Sequence, residues 1–392
     1  MRYPASRSSA LRTGRSSKSG TRRKPAACGR TRKPCRRPAE RTVMTDSPTL
    51  AADAERQSLA RWLNRTAGIG DGDPAGLTVA APASGWSNET AILSVAGRRL
   101  VVRIAPRRAS MFPRYDLDRE WRILQTLHAA GTAPVPAPLG FDAEGQVLGR
   151  PLFVMSFVEG VVPADNKPTY AESGWLAEAA QDNQERFWRG FIGAMAGVHA
   201  TDWRNRSLRD LEPVDGRTPE DAAMTWLEDL HAWSDAPQAD IEAAFARLRE
   251  TLPSSDAPAV LLWGDSRPAN VLVRDFGIAA LLDWELAHVG PAAFDVTWLQ
   301  EMHWMRTVGA GIRQPAGFPD DDGIVRLYEQ AAGQSLGDLS WYRLFAAAKV
   351  AVLLYRHLVV AIDRGAMPAG HPLLRRNVAT RRLADLLDRT AA

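Results

Sequence analysis

Cysteine is almost missing from this 392-residue sequence, and the two present, Cys28 and Cys35, both fall within the first 43 residues. Everything after residue 43 is thereby excluded from holding a disulfide framework or a cysteine-ligated zinc or iron–sulfur centre. A cysteine-free body suits a reducing cytoplasm, which is the expected compartment. Long apolar runs are missing as well. The nearest candidate, Leu344 to Ile362, is broken by Lys349, Arg356 and His357 and reads as a buried core helix, so no membrane partner is expected. Basic charge is also scarce outside the start of the chain. Residues 1–43 hold 14 Lys/Arg against the single acid Glu40, a net of +13, while the rest holds 35 basic and 44 acidic side chains, a net of −9. The pI near 9.2 therefore belongs to a tail. A nucleic-acid binder spreads basic surface over its fold, and this body does not.

The tail has no apolar run, so it does not read as a secretory signal, and its composition cannot support a core. Three readings stand for it: a basic arm that touches anions, an Arg/Ser-rich transit peptide, or an untranslated stretch upstream of a start at Met44. Past it the chain divides into a nucleotide-lobe segment, 44–157, and a larger helical segment, 158–392. In the first, a helix is predicted from Asp53 to Leu63. Strands follow at Leu77–Ala81, Thr90–Val95 and Arg99–Ile104, then a helix over Asp116–Ala130 and a strand over Leu152–Phe157. In the second, helices are predicted over 184–200, 219–232, 241–251, 323–332, 339–360 and 373–389. A compact β patch, Ala259–Trp284, interrupts them.

That patch reads LLWGDSRPANVLVRDFGIAALLDWE. A strand runs into Gly264-Asp265, and a polar loop then presents Arg267 and Asn270. A strand, a turn and a return strand deliver Asp283. An acid, a cation and an amide on one loop, with a second acid at the neighbouring strand end, is the set that phosphoryl transfer from ATP requires. Asp275-Phe276-Gly277 imitates a kinase metal motif. It falls at the far turn of this hairpin, where Asp and Gly are favoured for geometry, so Asp275 is read as structural.

Residues 265–270, Asp-Ser-Arg-Pro-Ala-Asn, resemble the catalytic loop of protein-kinase-like phosphotransferases, specifically the aminoglycoside phosphotransferase and choline kinase group. The resemblance implies an α+β, bilobal protein-kinase-like fold, with a small antiparallel sheet in the N-lobe and a larger, mostly helical C-lobe. It implies ATP, with GTP as the alternative, and Mg²⁺ as cofactors. It makes Asp265 the catalytic base, Arg267 the cation facing the γ-phosphate, Asn270 a metal ligand, and Asp283 of Asp283-Trp-Glu285 the main metal ligand. Ser84–Thr90 resembles the phosphate loop, with Ser87 or Asn88 approaching the phosphates. Arg103 stands where the family has a strand lysine, with Glu120 as its partner. Glu120 lies on the stripe Leu117, Trp121, Leu124 and Leu127, and a lone acid on an apolar face needs a cation. Phe153–Gly160, with Met155 and Phe157, resembles the hinge that grips adenine. Glu285 and Asp295 are supporting residues, Asp295 as a helix cap or a brace for the catalytic loop.

Trp263 replaces the usual histidine before Gly-Asp, which leaves the packing behind Asp265 open. Met195–Trp203, Gly317-Phe-Pro, Tyr328-Glu and Trp341–Phe345 extend the resemblance over roughly residues 55–390, toward a bacterial subgroup related to kinase domains fused to acyl-CoA dehydrogenases. His199 and His288 read as hydrogen-bonded structural residues. Trp298, Trp304 and Trp341 read mainly as core, with an acceptor pocket as the alternative.

The function expected is transfer of the γ-phosphate of Mg·ATP to a hydroxyl of a small molecule. A pseudokinase acting as a nucleotide-binding or scaffold module is the alternative, and nucleic-acid binding would rest on the tail alone. The acceptor is either a polycationic aminoglycoside, which Glu301 and Asp320–Asp322 could serve, or a hydroxyacyl-type metabolite.

Overall fold

The computed structural model describes residues 50, 52–79, 88–108, 110–204, 207–214, 216–235, 238–254 and 257–391. The basic tail, Met44 and the Ser84–Ser87 part of the phosphate-loop segment lie outside the described residues.

Helix α1 (Asp53–Ala67) is followed by strands β1 (Leu77–Val79), β2 (Glu89–Val95) and β3 (Arg98–Ile104). The β2–β3 turn is Ala96-Gly97, both with positive φ, which suits a two-residue hairpin between right-twisted strands. Helix α2 (Leu117–Ala130) comes next, then β4 (Pro138–Asp142) and β5 (Leu152–Ser156). The Asp116 side chain accepts from the Arg119 amide at 2.9 Å to start α2, and Gly131, with φ +66°, ends it. The five strands form one antiparallel sheet in the order β1-β2-β3-β5-β4.

The period-2 pattern of these strands sorts residues to two faces. Leu93, Leu100, Val102, Ile104 and Val154 pack with Leu59 and Leu63 of α1. On the opposite face Phe153 packs with Leu117 and Leu124 of α2. Arg103 pairs in register with Phe153 and shares that second face. Strand β4 was not expected, because Pro138 and Gly140 mask it; it pairs with β5 through a register shift between those two residues.

The helical lobe contains α3 (Gln181–His199), α4 (Pro219–Ser234) and α5 (Ala239–Glu250), then β6 (Ala259–Leu262), β7 (Val271–Arg274), β8 (Gly277–Leu281) and β9 (His288–Pro291). It ends with α6 (Ala293–Arg306), α7 (Asp321–Ala332), α8 (Ser340–Asp363) and α9 (Val378–Ala391). The β patch is two separate pairs, β7 with β8 and β6 with β9. Strand β9 escaped the sequence reading because four residues, His-Val-Gly-Pro, carry almost no strand pattern. Helix α8 is long and apolar enough by length and composition to cross a membrane, yet 61% of its most apolar window is buried inside the fold. It packs against α4, α5, α6 and α9. The connection from β3 to α2 reaches into this lobe, where Met111 and Phe112 join the cluster formed by Met224, Leu227, Phe345 and Val352.

Candidate active site

The loop from β6 to β7 begins with a glycine that nothing else could replace. Gly264 has φ +82°, and a Cβ there would lie 2.0 Å from the Leu286 carbonyl oxygen. Its amide donates to Asp295 Oδ1 at 2.8 Å, and the Trp263 amide donates to Asp295 Oδ2 at 2.7 Å. Asp295, on the first turn of α6, is thus a brace for the loop. His199 Nε2 lies 2.9 Å from Asp295 Oδ2, and the other ring nitrogen lies 2.7 Å from the Tyr328 hydroxyl. Burial opposes the Asp295 charge, but the His199 bond and the loop amides outweigh it and hold the carboxyl below its usual range. His199 and Tyr328 are therefore a structural relay, as the histidine was read.

Asp265 sits at the centre of the loop, 8% exposed. Oδ2 accepts from Arg267 Nε at 2.9 Å and from Asn270 Nδ2 at 2.7 Å, while Oδ1 accepts from Trp298 Nε1 at 2.9 Å. Asn270 Nδ2 also donates to the Asp265 carbonyl at 3.0 Å. Arg267 reaches past Asp265 to Asp165 Oδ2 at 2.6 Å, and Arg306 grips both Asp165 carboxylate oxygens. Burial opposes the Arg267 charge, and Asp265, Asp165 and Asp283 more than compensate, so the guanidinium is held above its ordinary value.

The hairpin sets the two candidate metal motifs apart. Asp275 and Phe276 occupy its turn with φ of 51° and 59°, and the Phe276 ring packs on Trp175 at 5.7 Å. The return strand β8 brings Asp283 back, with φ +65°, beside the nucleotide lobe. Arg103 Nη2 lies 2.7 Å from Asp283 Oδ1, while Nε lies 2.8 Å from Glu120 Oε2 and Nη2 3.7 Å from Glu285 Oε2. Burial again opposes the charge. The three carboxylates outweigh it and keep Arg103 firmly protonated. The pairing of Arg103 with Glu120 is as expected; its reach across the cleft to Asp283 was not anticipated.

Trp263 fills the histidine position with a fully buried indole whose Nε1 donates to the Leu282 carbonyl at 2.8 Å. It therefore fixes the strand end that presents Asp283. Asn88 is 2% exposed, and its Nδ2 donates to Glu120 Oε1 at 3.1 Å, with Glu285 Oε2 at 3.5 Å. It closes the ion network instead of facing open solvent. At the hinge, the Ser156 amide donates to the Ala137 carbonyl and the Phe157 amide to the Arg99 carbonyl, while Arg99 stacks on the Phe157 ring at 4.0 Å. Met155 lies on the same sheet face as Arg103.

Sequence reasoning missed Asp165, Arg306 and Lys349. None carries a local motif, and each reaches the site through tertiary packing. Trp341, by contrast, is core: its indole donates to the Leu248 carbonyl at 3.0 Å.

The model of the phosphotransferase enzyme family matches residues 78–318. The chain belongs to that family. Its fold is that of a Ralstonia eutropha protein whose assignment as an aminoglycoside phosphotransferase is itself provisional (TM-score 0.64, 20% identity, 85% of this chain and 95% of that one). A thermostable mutant of aminoglycoside phosphotransferase APH(4)-Ia, in ternary complex with AMP-PNP and hygromycin B, also aligns (TM-score 0.54, 16% identity, 86% of this chain and 99% of that one). Among curated proteins, acyl-CoA dehydrogenase family member 11 is 28% identical over 261 residues in Gallus gallus and 27% over 281 in Mus musculus. These alignments cover 64% and 69% of this chain but only 32% and 35% of those proteins, so the chain spans about a third of their length.

Proposed function

We propose that this member of the family transfers the γ-phosphoryl group of ATP to a hydroxyl of a small molecule. The observation that carries the reading is the gathering of Arg267 and Asn270 on Asp265, with the Asp283 charge acting on Arg267 and with Arg103 and Glu120 meeting Asp283 from the sheet. The hydroxyl oxygen attacks phosphorus, its proton passes to Asp265, and the bond to the β-phosphate breaks as ADP leaves. Trp298, Asn270 and Arg267 hold the Asp265 carboxylate for that proton, and Arg267 is placed to neutralise the moving phosphoryl charge. Mg²⁺ fits the donor set. Asn270 Oδ1 and the Asp283 carboxylate are two hard oxygens, the number such an ion takes from protein when phosphates and water supply the rest. It would supply charge neutralisation on the phosphates. ATP is the nucleotide proposed, as the neighbour bound to AMP-PNP supports, with GTP as the alternative.

For the acceptor we favour a hydroxyacyl-type metabolite over a polycation. Two of the acids that a polycation could use are engaged elsewhere: Arg382 Nε donates to Glu301 at 3.2 Å, and Asp320 caps α7 through the Gly323 amide at 2.7 Å. Cations Arg267 and Arg306 instead gather on Asp165, with Arg267 also on Asp265. The cysteine-free body supports a cytoplasmic setting, and its net negative charge supports a chain whose folded part takes no nucleic acid.

A pseudokinase is the second reading, favoured by Arg103 lying on the very carboxylate assigned to the metal. Incubating the protein with Mg·ATP and a library of hydroxylated metabolites and aminoglycosides, read by mass spectrometry, separates the two. A phosphorylated product absent with Asp265→Asn supports the enzyme. Stabilisation by Mg·ATP with no product from any acceptor and no hydrolysis supports the scaffold.

A further inference from the structure

Lys349 lies in the middle of α8, 85 residues from the catalytic loop in sequence, and is 5% exposed. Its Nζ donates to the Gly264 carbonyl at 2.8 Å. The same nitrogen stands 4.2 Å over the Trp298 ring and 5.9 Å from the Trp226 ring. Gly264, just before Asp265, is therefore held on both sides: its amide by the Asp295 carboxylate, its carbonyl by an ammonium. The indole under that ammonium donates to Asp265 Oδ1.

We propose that Lys349 is a positioning residue for the catalytic loop, fixing the Gly264 carbonyl and the Trp298 indole and, through them, the orientation of the Asp265 carboxylate. The proposal rests on Asp265 being the base. A single carbonyl bond does not explain a buried ammonium, whose desolvation is costly. The charge is explained by what it faces. The titratable groups around it are Asp265 on the loop, Asp295 on α6 and His288 on β9. His288 is neutral, since burial and then Lys349 itself bring it down to about 4, so the charged groups that Lys349 faces are the carboxylates of Asp265 and Asp295. Burial lowers Lys349 to about 8, with both carboxylates working to keep it charged. Its proton is therefore lost within a range that solution measurements reach.

The test uses the full chain with ¹⁵N-labelled tryptophan, the Trp298 indole signal being assigned with Trp298→Phe. The wild-type signal is expected to shift with a midpoint in the mildly alkaline range, and Lys349→Met should abolish that shift. In Mg·ATP hydrolysis without acceptor, Lys349→Met should lower kcat by about tenfold or more, as small misplacements of catalytic groups do, while Mg·ATP affinity holds within about twofold. Lys349→Arg, which keeps the charge, should recover part of the rate. A wild-type indole that ignores pH overturns the proposal, even if Lys349→Met fails to fold. So does a folded Lys349→Met with wild-type kcat, or with equal losses in affinity and rate. An indole that titrates in a protein that neither hydrolyses Mg·ATP nor phosphorylates any acceptor of the library would uphold the hold on the loop and sink the phosphotransferase reading alone.

Discussion

Arg103 of the sheet and Asp283 of the helical lobe meet at 2.7 Å, so the cation of the nucleotide half already rests on the carboxylate assigned to the metal. A compact lysine ammonium could not span Glu120, Asp283 and Glu285 as this planar fork does. Arg103→Lys should therefore weaken Mg·ADP binding by roughly tenfold, in keeping with the ~1.5–3 kcal/mol of a hydrogen bond to a charged group. Isothermal titration checks it. Unchanged affinity would mean that Arg103 is only an ion-pair strut between lobes.

The two motifs ending in the β7–β8 hairpin give opposite expectations. Asp283→Asn should reduce Mg²⁺ affinity in the presence of ADP by at least about tenfold. Asp275→Asn should leave it unchanged, because asparagine tolerates the positive φ of that turn. Metal titrations of the two variants side by side decide the assignment.

Asp295 accepts from two buried backbone amides and faces His199, at 1% exposure. Asp295→Ala leaves those donors stranded and should cost about 3–5 kcal/mol in urea unfolding. Its carboxyl sits below the usual range, so this stabilisation is complete above the unfolded carboxylate range and fades as pH falls through the folded value. Asp295→Asn should lose the acid dependence while keeping part of the stability.

Glu301 has the opposite sign. Burial raises its carboxyl to about 7 despite Arg382. The folded state then binds the proton more tightly than the unfolded chain, so stability falls as pH rises from the usual carboxylate range through about 7. Glu301→Gln should flatten that slope and unfold at a higher urea concentration than wild type at pH 8. A slope identical in both proteins would remove Glu301 from the account.

What could be read from the sequence followed chain distance. Asp265, Arg267, Asn270 and Asp283 lie within one strand–loop–hairpin unit, where turn chemistry and strand length fix which ends meet. The same logic separated Asp275 from Asp283. Glu120 was legible because an acid on the stripe Leu117–Leu124 needs a cation, and Arg103 was the candidate on the adjoining strand. Asp165, Arg306 and Lys349 were not legible, since nothing local distinguishes them from surface charges and only packing brings them to the loop. The hydrogen bond of Asn88 to Glu120 was not legible either, because it depends on how deeply α2 seats against the sheet.

Helix α2 is fastened both to its own sheet and to the helical lobe. Arg119 Nη2 holds the Glu285 carbonyl at 2.9 Å, Arg122 grips both Asp210 oxygens, and Met111 and Phe112 anchor the approach to it. Glu120 rides on a helix tied to both lobes, so any outward movement of that helix would first have to break the Arg119 and Arg122 contacts.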